Sequence, residues 1–522
     1  MKSIRGILFD VDDTLYSHKQ RRIPELTKYT IKKLKENGYI LGMCTSRFPR
    51  EFCSLPENIF DDFDLIIAGT GSIYIRDGKV LHIEKINESD TQKYINYLDQ
   101  QDSLYYLWTP VEGQPHFSSE PGENIKRHHL EWAKECPTVQ KWNKEALCNI
   151  VYYGANEKQT QEITDLVGET GLEIWGNNGH INPKNIDKAY GIKYFSKLYN
   201  LDLKEILCFG DGINDISMIK TAGMGVAVGN GKDELKKQAD YICDPIENAG
   251  IYTFCVDHHL IDPIDPTIFF FDIDGTTFRN DIQASPESTI STIHALRKKG
   301  KKCCICTSRS SDEMIHLPKT FLNMFDAIIR LAGGHITIDG KDFYHEVNHD
   351  EVCQAIKYLD QNKIPYRYVT VDEKSYLYNS TEFVRGLFKY QYGMIPPEKE
   401  YENEKVIHLQ YYPYKESQNN DLDKIFMKSK VTHLNISHEI TQENTDKGSA
   451  ILRVAEYYGY NRENTVAFGD GENDITMLKN AQIGIAMGNA CQQCLDVADY
   501  VTERIEDDGL YNACKHFKWI ES

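Results

Sequence analysis

The feature that most constrains this chain is a long internal repeat. The segment FDVDDTL, which begins at Phe9, recurs as FDIDGTT, which begins at Phe271, so that equivalent residue numbers differ by 262. The same shift relates the TSR triplet at Thr45 to the one at Thr307. Solenoid repeats run for about 20–50 residues, whereas a repeat of this length is a duplicated domain. We therefore predict two domains, residues 1–262 and 263–522, joined at a segment that contains two prolines.

A second block of similarity lies towards the end of each half. Lys188 corresponds to Lys447, and FGDGIND at Phe209 corresponds to FGDGEND at Phe468, with residue numbers that now differ by 259. Between the two blocks, over residues 83–179 and 346–437, the halves share little identity. The change of register therefore falls within these middle segments.

The pattern of apolar residues predicts an α/β fold. Residues 4–9 and 267–271 are apolar runs that lead into acidic, turn-prone residues, which is typical of buried strands. Residues 24–37 have helical apolar spacing and are followed by Gly38, a helix stop signal. The other predicted elements are strands at 39–44 and 206–209 and a helix at 214–221. Strands that alternate with helices predict a parallel, doubly wound sheet, and such sheets bind ligands at the carboxyl ends of their strands.

Charge and hydropathy exclude several classes of partner. The 522-residue chain has a formal net charge of -19, which argues against nucleic acid, because nucleic-acid affinity depends on lysines and arginines that neutralise phosphates. No apolar run approaches the length of a membrane span, so we expect no membrane partner. The chain passes from Met1 directly into a strand-like segment, and this absence of a signal peptide predicts a cytoplasmic protein.

Two carboxylates follow the first strand of each half. Asp10 and Asp12 are two residues apart, so that both can point to one pocket. One can attack phosphorus while the other protonates the ester oxygen of a phosphate monoester. Magnesium prefers a few carboxylate ligands together with water and substrate oxygens, and Asp10 and Asp211 are the natural pair. The sequence thus predicts a phosphoryl-transfer site with Mg²⁺ as its cofactor.

Further residues complete the predicted site. Thr45 offers a hydroxyl group at the second strand end, where a phosphate oxygen could be held. Lys188 supplies a positive charge for the transferring group, and Asp215 can orient this lysine. The second half repeats the set as Asp272, Asp274, Thr307, Lys447, Asp470 and Asp474.

With these motifs the chain resembles the haloacid dehalogenase superfamily, in particular its Cof-type, class IIB capped phosphatases. The resemblance covers both halves and implies two Rossmann-like cores, each with an inserted α/β cap. The implied boundaries are a first core at 1–82 and 180–262 with a cap at about 83–179, and a second core at 266–345 and 438–522 with a cap at about 346–437. Two departures are Asp13 in place of the usual glycine and TSR in place of the usual TGR in both copies.

The resemblance also assigns roles to residues. Asp10 and Asp272 would become aspartyl-phosphates, and Asp12 and Asp274 would be the acid/bases and would also contact magnesium. The residues expected to bind phosphate or substrate are Thr45, Ser46, Lys188, Asn214, Asn230, Thr307, Ser308, Lys447, Asn473 and Asn489. The residues expected at the two metal sites are Asp10, Asp12, Asp211, Asp215, Asp272, Asp274, Asp470 and Asp474.

The predicted function is hydrolysis of small phosphate monoesters, such as sugar phosphates or phosphorylated cofactors, at two sites. One alternative is a phosphotransferase or phosphomutase, which passes the phosphoryl group to a hydroxyl other than water. Another is that one copy is a binding or regulatory module. Arg127 and Arg367 in the middle segments are candidate clamps for a second anionic group. The duplication also suggests a monomeric chain that acts as a covalent pseudo-dimer.

Overall fold

Each half of the chain builds an eight-stranded sheet around a strand that is buried along its whole length. In the first half this strand is Gly6–Phe9, and its counterpart in the second half is Ile268–Phe271. Strands that are apolar on both faces need helices on both sides, which is the arrangement of parallel sheets in α/β proteins. The computed structural model describes residues 4–55, 59–101, 103–112, 114–168 and 171–521. It divides into two compact units, 1–262 and 263–522.

The core sheet of the first unit is mostly parallel. In spatial order its strands are Tyr241–Ile242, Met224–Ala227, Ile206–Gly210, Gly6–Phe9, Ile40–Cys44, Leu65–Ala68, Ile73–Arg76 and Lys79–Ile83. The last two form an antiparallel hairpin at one edge. The core helices are Glu25–Glu36, Lys188–Tyr199, Ile216–Thr221, Asp233–Lys236 and Gly250–Asp257. The doubly wound α/β fold is therefore confirmed, with an antiparallel edge that the sequence pattern did not predict.

Local sequence accounts for the ends of the first helix. Helix Glu25–Glu36 follows Pro24 and buries Leu26, Ile31 and Leu34 on one face. It ends just before Gly38, whose φ of +84° suits glycine and few other residues. The predicted helix at 214–221 is shorter than expected, since residues 213–215 form a 3-10 turn before helix Ile216–Thr221.

The cap of the first unit is a separate antiparallel sheet with helices. Its strands, in spatial order, are His116–Phe117, Tyr105–Pro110, Leu147–Tyr153, Asn178–Ile181 and Leu172–Trp175. Its helices are Glu88–Asp99, Glu123–Ala133 and Glu157–Val167. The cap has its own apolar core, in which Trp108 and Tyr152 are fully buried.

The second unit repeats both sheets in the same spatial order. Its core strands are Lys341–Tyr344, His335–Ile338, Ala327–Arg330, Lys302–Cys306, Ile268–Phe271, Thr465–Gly469, Ile483–Ala486 and Tyr500–Val501. Its cap strands are Ser375–Tyr378, Tyr366–Thr370, Val406–Tyr411, His438–Gln442 and Ser429–His433. Its core helices are Glu287–Lys298, Lys319–Leu322, Lys447–Tyr457, Ile475–Asn480, Gln492–Val497 and Gly509–His516, and its cap helices are His349–Gln361, Glu382–Tyr392 and Glu416–Asp423.

The sheets place the cap boundaries differently from the sequence. Strands Asn178–Ile181 and His438–Gln442 pair with cap strands, whereas the sequence boundaries put residues 180–181 and 438–442 in the cores. At the other boundary, Ile83 belongs to a core strand. The sequence boundaries mark where identity between the halves fades, but a strand belongs to the sheet with which it forms hydrogen bonds. Across the described ranges, no helix is long and apolar enough to cross a membrane.

Candidate active sites

Parallel pairing brings the predicted acidic residues to one edge of each core sheet. Phe9 pairs with Phe209, so Asp10 and the segment that carries Asp211 emerge side by side. The equivalent pair in the second unit is Phe271 with Phe468. The carboxyl ends of parallel strands meet at one edge, which is why residues about 200 positions apart can share one site.

A fully buried lysine links two carboxylates in each unit. Lys188 Nζ lies 2.5 Å from Asp10 Oδ1 and 2.6 Å from Asp215 Oδ1. Asp187 caps the helix that Lys188 begins, by accepting the backbone N–H of Tyr190, and this fixes the lysine at the first turn. Although burial lowers it, the charges of Asp10 and Asp215 raise the pKa of Lys188 well above its usual value. The ammonium group is therefore charged in the site.

The second unit reproduces this arrangement closely. Lys447 Nζ lies 2.6 Å from Asp272 Oδ1 and 2.7 Å from Asp474 Oδ1. As in the first unit, the lysine is fully buried and its pKa is raised by the two carboxylates against the effect of burial. A buried ion pair of this kind needs good geometry to offset the loss of solvation, and both units provide it.

Three carboxylates in each unit lie close enough to hold one metal ion. Oxygens of Asp10, Asp211 and Asp215 all lie within 4.8 Å of one another, as do those of Asp272, Asp470 and Asp474. Burial, followed by the charge of a neighbouring carboxylate, raises the pKa of Asp211 and the pKa of Asp470 to about 7. Crowded carboxylates of this kind favour a divalent cation, and hard oxygen donors suit magnesium.

Further contacts fix the orientation of this acidic cluster. Asp215 Oδ2 accepts the backbone N–H groups of Asp211 and Gly212, so this side chain supports the loop as well as the lysine. The hydroxyl of Thr14 donates to Asp211 at 3.3 Å, and that of Thr276 donates to Asp470 at 2.7 Å. Sequence reasoning missed both threonines, although each follows the two aspartates of its motif.

Sequence reasoning also missed the arginine of each TSR triplet. Arg47 is buried and donates to both carboxylate oxygens of Asp12, at 2.8 and 2.5 Å. Arg309 holds Asp274 in the same way, at 2.9 and 2.5 Å. Although burial raises it, hydrogen bonds from Arg47 and then His18 lower the pKa of Asp12 to about 2. Asp12, the residue predicted to be the acid/base of the first unit, is therefore ionised in this structure.

The predicted phosphate-binding residues surround these carboxylates. The Thr45 hydroxyl is buried and accepts the N–H of Arg47 at 3.1 Å, while Asn214 Nδ2 donates to Ser46 Oγ at 2.7 Å. The equivalent distances in the second unit are 3.2 Å for Thr307 and 2.8 Å for the pair Asn473 and Ser308.

Asn230 and Asn489 link the motif loops to later segments of the core. The amide nitrogen of Asn230 donates to the carbonyl of Asp13, and its amide oxygen accepts the N–H of Ile246. Asn489 bonds in the same way to Gly275 and Ile505, and its amide nitrogen also donates to Asp470 Oδ2 at 3.3 Å. Asn489 therefore also contacts the acidic cluster of the second unit.

A cavity separates core and cap in each unit. The cavity of the second unit has a volume of about 480 Å³ and reaches Asp272, and that of the first unit has a volume of about 450 Å³. Residues of the first cavity include Asp12, Ser46, Arg47, Arg50, His128, Tyr153, Trp175 and His180. Residues of the second include Asp274, Ser308, Arg309, Gln410, Tyr412, Asn435, Ser437 and Glu439.

The predicted anion clamps do not line these cavities. Arg367 is 1% exposed, and its guanidinium lies 2.7 Å from the fully buried carboxylate of Glu313. The prediction for Arg367 is wrong, because its charge is already neutralised by a core residue. Arg127 is exposed and is not among the described residues that line the first cavity. The arginines that line this cavity are Arg47 and Arg50.

Comparison with known proteins agrees with this geometry. A family model described as haloacid dehalogenase-like hydrolase matches residues 7–255 and again residues 269–514. The chain is 27% identical over 265 residues to YkrA of Bacillus subtilis, a protein named as a phosphatase. This match covers 48% of this chain and 98% of YkrA. It is 25% identical over 248 residues to YcsE of the same species, a 5-amino-6-(5-phospho-D-ribitylamino)uracil phosphatase, with coverages of 48% and 93%.

Among solved structures, the chain is similar to BT4131, described as a sugar phosphatase of haloacid dehalogenase subclass IIB. The identity is 27% and the TM-score is 0.46, over 49% of this chain and 100% of that one. The matches to YkrA and YcsE each cover about half of this chain and nearly all of the relative, as expected if each half is one copy of the same domain. From the two family matches and the repeated site, we conclude that the chain belongs to the haloacid dehalogenase-like hydrolases and is a phosphatase made of two consecutive copies of the family's domain.

Proposed function

We propose that both units are magnesium-dependent phosphatases that hydrolyse small phosphate monoesters through an aspartyl-phosphate. The observation that carries this proposal is the lysine-linked pair of carboxylates, which occurs with nearly the same distances at Asp10 and at Asp272. A silent copy would not need to keep a fully buried lysine between two carboxylates, because such a group is costly to bury.

The first step joins the nucleophile to phosphorus. A carboxylate oxygen of Asp10 forms a bond to phosphorus while the bond to the ester oxygen breaks, and Asp12 gives a proton to the departing alcohol. Lys188 stabilises the charge on the transferring group. Asp10 and Asp211 would hold magnesium, which neutralises negative charge on the phosphate when it is bound.

The second step releases phosphate. Asp12, which has lost its proton, accepts one from water, and the resulting oxygen nucleophile bonds to phosphorus as the bond to Asp10 breaks. The products are inorganic phosphate and the regenerated Asp10 carboxylate. The same steps apply to Asp272 and Asp274 in the second unit.

Arg47 must change partners for Asp12 to act as an acid. In this structure the guanidinium holds Asp12 ionised, whereas proton donation requires the neutral carboxyl group. A phosphate dianion that enters the site offers Arg47 another bidentate anion. We propose that substrate phosphate attracts Arg47 and thereby allows Asp12 to take up its proton.

Small, soluble esters suit the sites best. Cavities of about 450 and 480 Å³ accommodate a metabolite of the size of a sugar phosphate or a phosphorylated cofactor. YcsE is named for one such phosphorylated metabolite. We also propose that the protein acts in the cytoplasm, without nucleic acid or membrane, as a monomeric pseudo-dimer; an obligate higher oligomer in sedimentation would contradict the last point.

The test is phosphate release, with magnesium, across a panel of phosphorylated metabolites. Wild type, Asp10→Asn, Asp272→Asn and the double variant are compared, with Asp61→Asn, an exposed carboxylate, as the matched control. We expect each single variant to lose one component of the activity by roughly a thousandfold or more, and the double variant to lose both. Complete loss in one single variant would show that the other copy is silent. Transfer to added sugars in preference to water would show a phosphotransferase.

A further inference from the structure

The two cavities present different side chains at one corresponding place in the caps. In the first cap, His180 pairs with Val151 across the sheet, and in the second cap, Glu439 pairs with Gln410. The two cap sheets have the same strand order, and each residue lies at the same distance in sequence before its lysine, Lys188 or Lys447. His180 and Glu439 are therefore structural equivalents, although the halves share little identity in this region.

Glu439 is a buried carboxylate at the wall of the second cavity. It is 3% exposed, and the hydrogen bond described for its carboxylate comes from Ser308 Oγ at 3.3 Å. A carboxylate has about four acceptor positions, so this group keeps most of its capacity for other donors. Ser308 in turn receives a hydrogen bond from Asn473, which places Glu439 one side chain away from the phosphate-binding residues.

The surroundings of Glu439 favour a hydrogen-bond donor over a second anionic group. The nearby cations are already paired, Arg367 with Glu313 and Lys447 with Asp272 and Asp474. An anionic group would be repelled by the Glu439 carboxylate, whereas hydroxyl groups of the leaving alcohol can donate to it. Gln410 and Ser437 also line this cavity, and Gln410 Nε2 donates to Ser437 Oγ at 3.0 Å.

The first cavity offers a different surface at this place. The ring of His180 lies 4.5 Å from that of Trp175 between ring centres, and burial lowers the pKa of His180. Within the described part of the chain, His180 Nδ1 has no hydrogen-bond partner. Leu107 and Val151 line the same wall.

A carboxylate of this cavity is on the neighbouring strand: Glu173 Oε2 lies 3.9 Å from His180 Nδ1 and accepts a hydrogen bond from Thr70 at 3.0 Å. The first cavity therefore has a neutral imidazole at the place where the second has the carboxylate of Glu439.

We propose that Glu439 determines substrate specificity in the second unit by accepting hydrogen bonds from hydroxyl groups of the leaving alcohol, and that His180 gives the first unit a different preference. The second site would then act on polyol or sugar phosphates. This inference rests on the proposed function and adds to it the chemical class of the leaving group.

The test uses the Asp10→Asn protein, in which the measured activity comes from the second site alone. The measured quantity is kcat/KM for glucose 6-phosphate divided by kcat/KM for p-nitrophenyl phosphate, a substrate whose leaving group has no further hydroxyl. We expect Glu439→Ala to lower this ratio by roughly ten- to a hundredfold, as for a lost hydrogen bond to a charged group, and Glu439→Gln to lower it less. Asp350→Asn, at an exposed cap carboxylate, is the control.

The reciprocal change tests the first site in the Asp272→Asn protein. There, His180→Glu should raise the same ratio, since it introduces a carboxylate at the place that Glu439 occupies in the second site. An unchanged ratio in Glu439→Ala, or an equal loss on both substrates, would overturn the inference while leaving the phosphatase intact.

If the Asp10→Asn protein released no phosphate from p-nitrophenyl phosphate, the proposed function of the second unit would fail instead. In that case, a binding measurement tests the inference. Calorimetry on the Asp10→Asn/Asp272→Asn protein compares the affinity for glucose 6-phosphate with the affinity for inorganic phosphate. Weaker relative binding after Glu439→Ala would support it, and equal relative binding would overturn it.

Discussion

The two units share a nearly identical core site but attach their caps differently. In the first unit the cap meets the core through Thr70, which donates to Glu173 at 3.0 Å, and through Arg50, which lies 3.4 Å from His129. In the second unit a fully buried ion pair between Arg367 and Glu313 joins cap to core. The core distances tolerate little change because phosphoryl transfer depends on them, whereas cap attachment can be achieved with different residues.

Glu373 forms a further polar link between cap and core in the second unit. Glu373, in a cap turn, lies 2.6 Å from His335 Nδ1 of the core, accepts a hydrogen bond from Tyr344 at 3.2 Å and also contacts Ser311. The 262-residue shift places Ile73 of the first unit at the position of His335. An aliphatic residue there cannot form the contact, so this link has no counterpart at the equivalent position of the first unit.

Metal removal should affect both units equally and gives the largest expected effect. Because the acidic clusters are alike, we expect chelation to lower activity by at least about a thousandfold in both the Asp10→Asn and the Asp272→Asn protein, with recovery on addition of magnesium. Phosphate release with and without chelator measures this. Activity that persists in one protein would break the equivalence of the two cores.

Breaking the buried ion pair between Arg367 and Glu313 should lower the stability of the second unit and leave that of the first unit unchanged. Arg367→Leu leaves the buried carboxylate of Glu313 without its cationic partner, which costs about 3–5 kcal/mol. We expect the second site, read in Asp10→Asn, to lose activity at a lower temperature, and the first site, read in Asp272→Asn, to be unaffected.

The double change Arg367→Leu/Glu313→Gln is the matched control for this loss. It removes the unpaired charge and should restore much of the heat resistance, since a neutral amide is less costly to bury than a carboxylate. Equal heat sensitivity of both sites after Arg367→Leu would contradict the expectation that this ion pair stabilises the second unit alone.

Conservative replacement of the triplet arginines should have a smaller effect. Arg47→Lys and Arg309→Lys keep the charge but lose the bidentate contact with Asp12 or Asp274. We expect kcat at the affected site to fall by roughly tenfold or more, and the other site to keep its rate. Steady-state kinetics on the Asp10→Asn and Asp272→Asn backgrounds, with Arg76→Lys as an exposed control, would show whether the two arginines are equally important.

The smallest expected effect concerns the contact made by Glu373. Glu373→Gln keeps the shape of the side chain and weakens its contacts with His335 and Tyr344, so we expect a loss of about 1 kcal/mol in the stability of the second unit. Thermal inactivation of the second site measures it. A shift as large as that of Arg367→Leu would show that Glu373 is the main link between cap and core.

The sequence by itself determined the duplication, the fold class and most of the core site. The motifs could be placed together because parallel strands put their carboxyl ends at one edge, so that Asp10 and Asp211 had to converge. This inference needs only the order of the elements and the residues that follow the strands. The roles of Asp10 as nucleophile and of Asp211 as metal ligand stay proposals, but their convergence is a property of the fold.

Only the tertiary structure decided which residues surround that site. Arg47 lies 35 positions from Asp12 in sequence, and no local pattern distinguishes a guanidinium that reaches a carboxylate from one in solvent. In the caps, the equivalence of His180 and Glu439 depends on the hydrogen-bond register of two sheets with little sequence identity. Contacts between side chains that are distant in sequence depend on packing, and many sequences can satisfy the same packing. For this reason the contacts made by the caps could not be predicted from the sequence in the way that the core sites could.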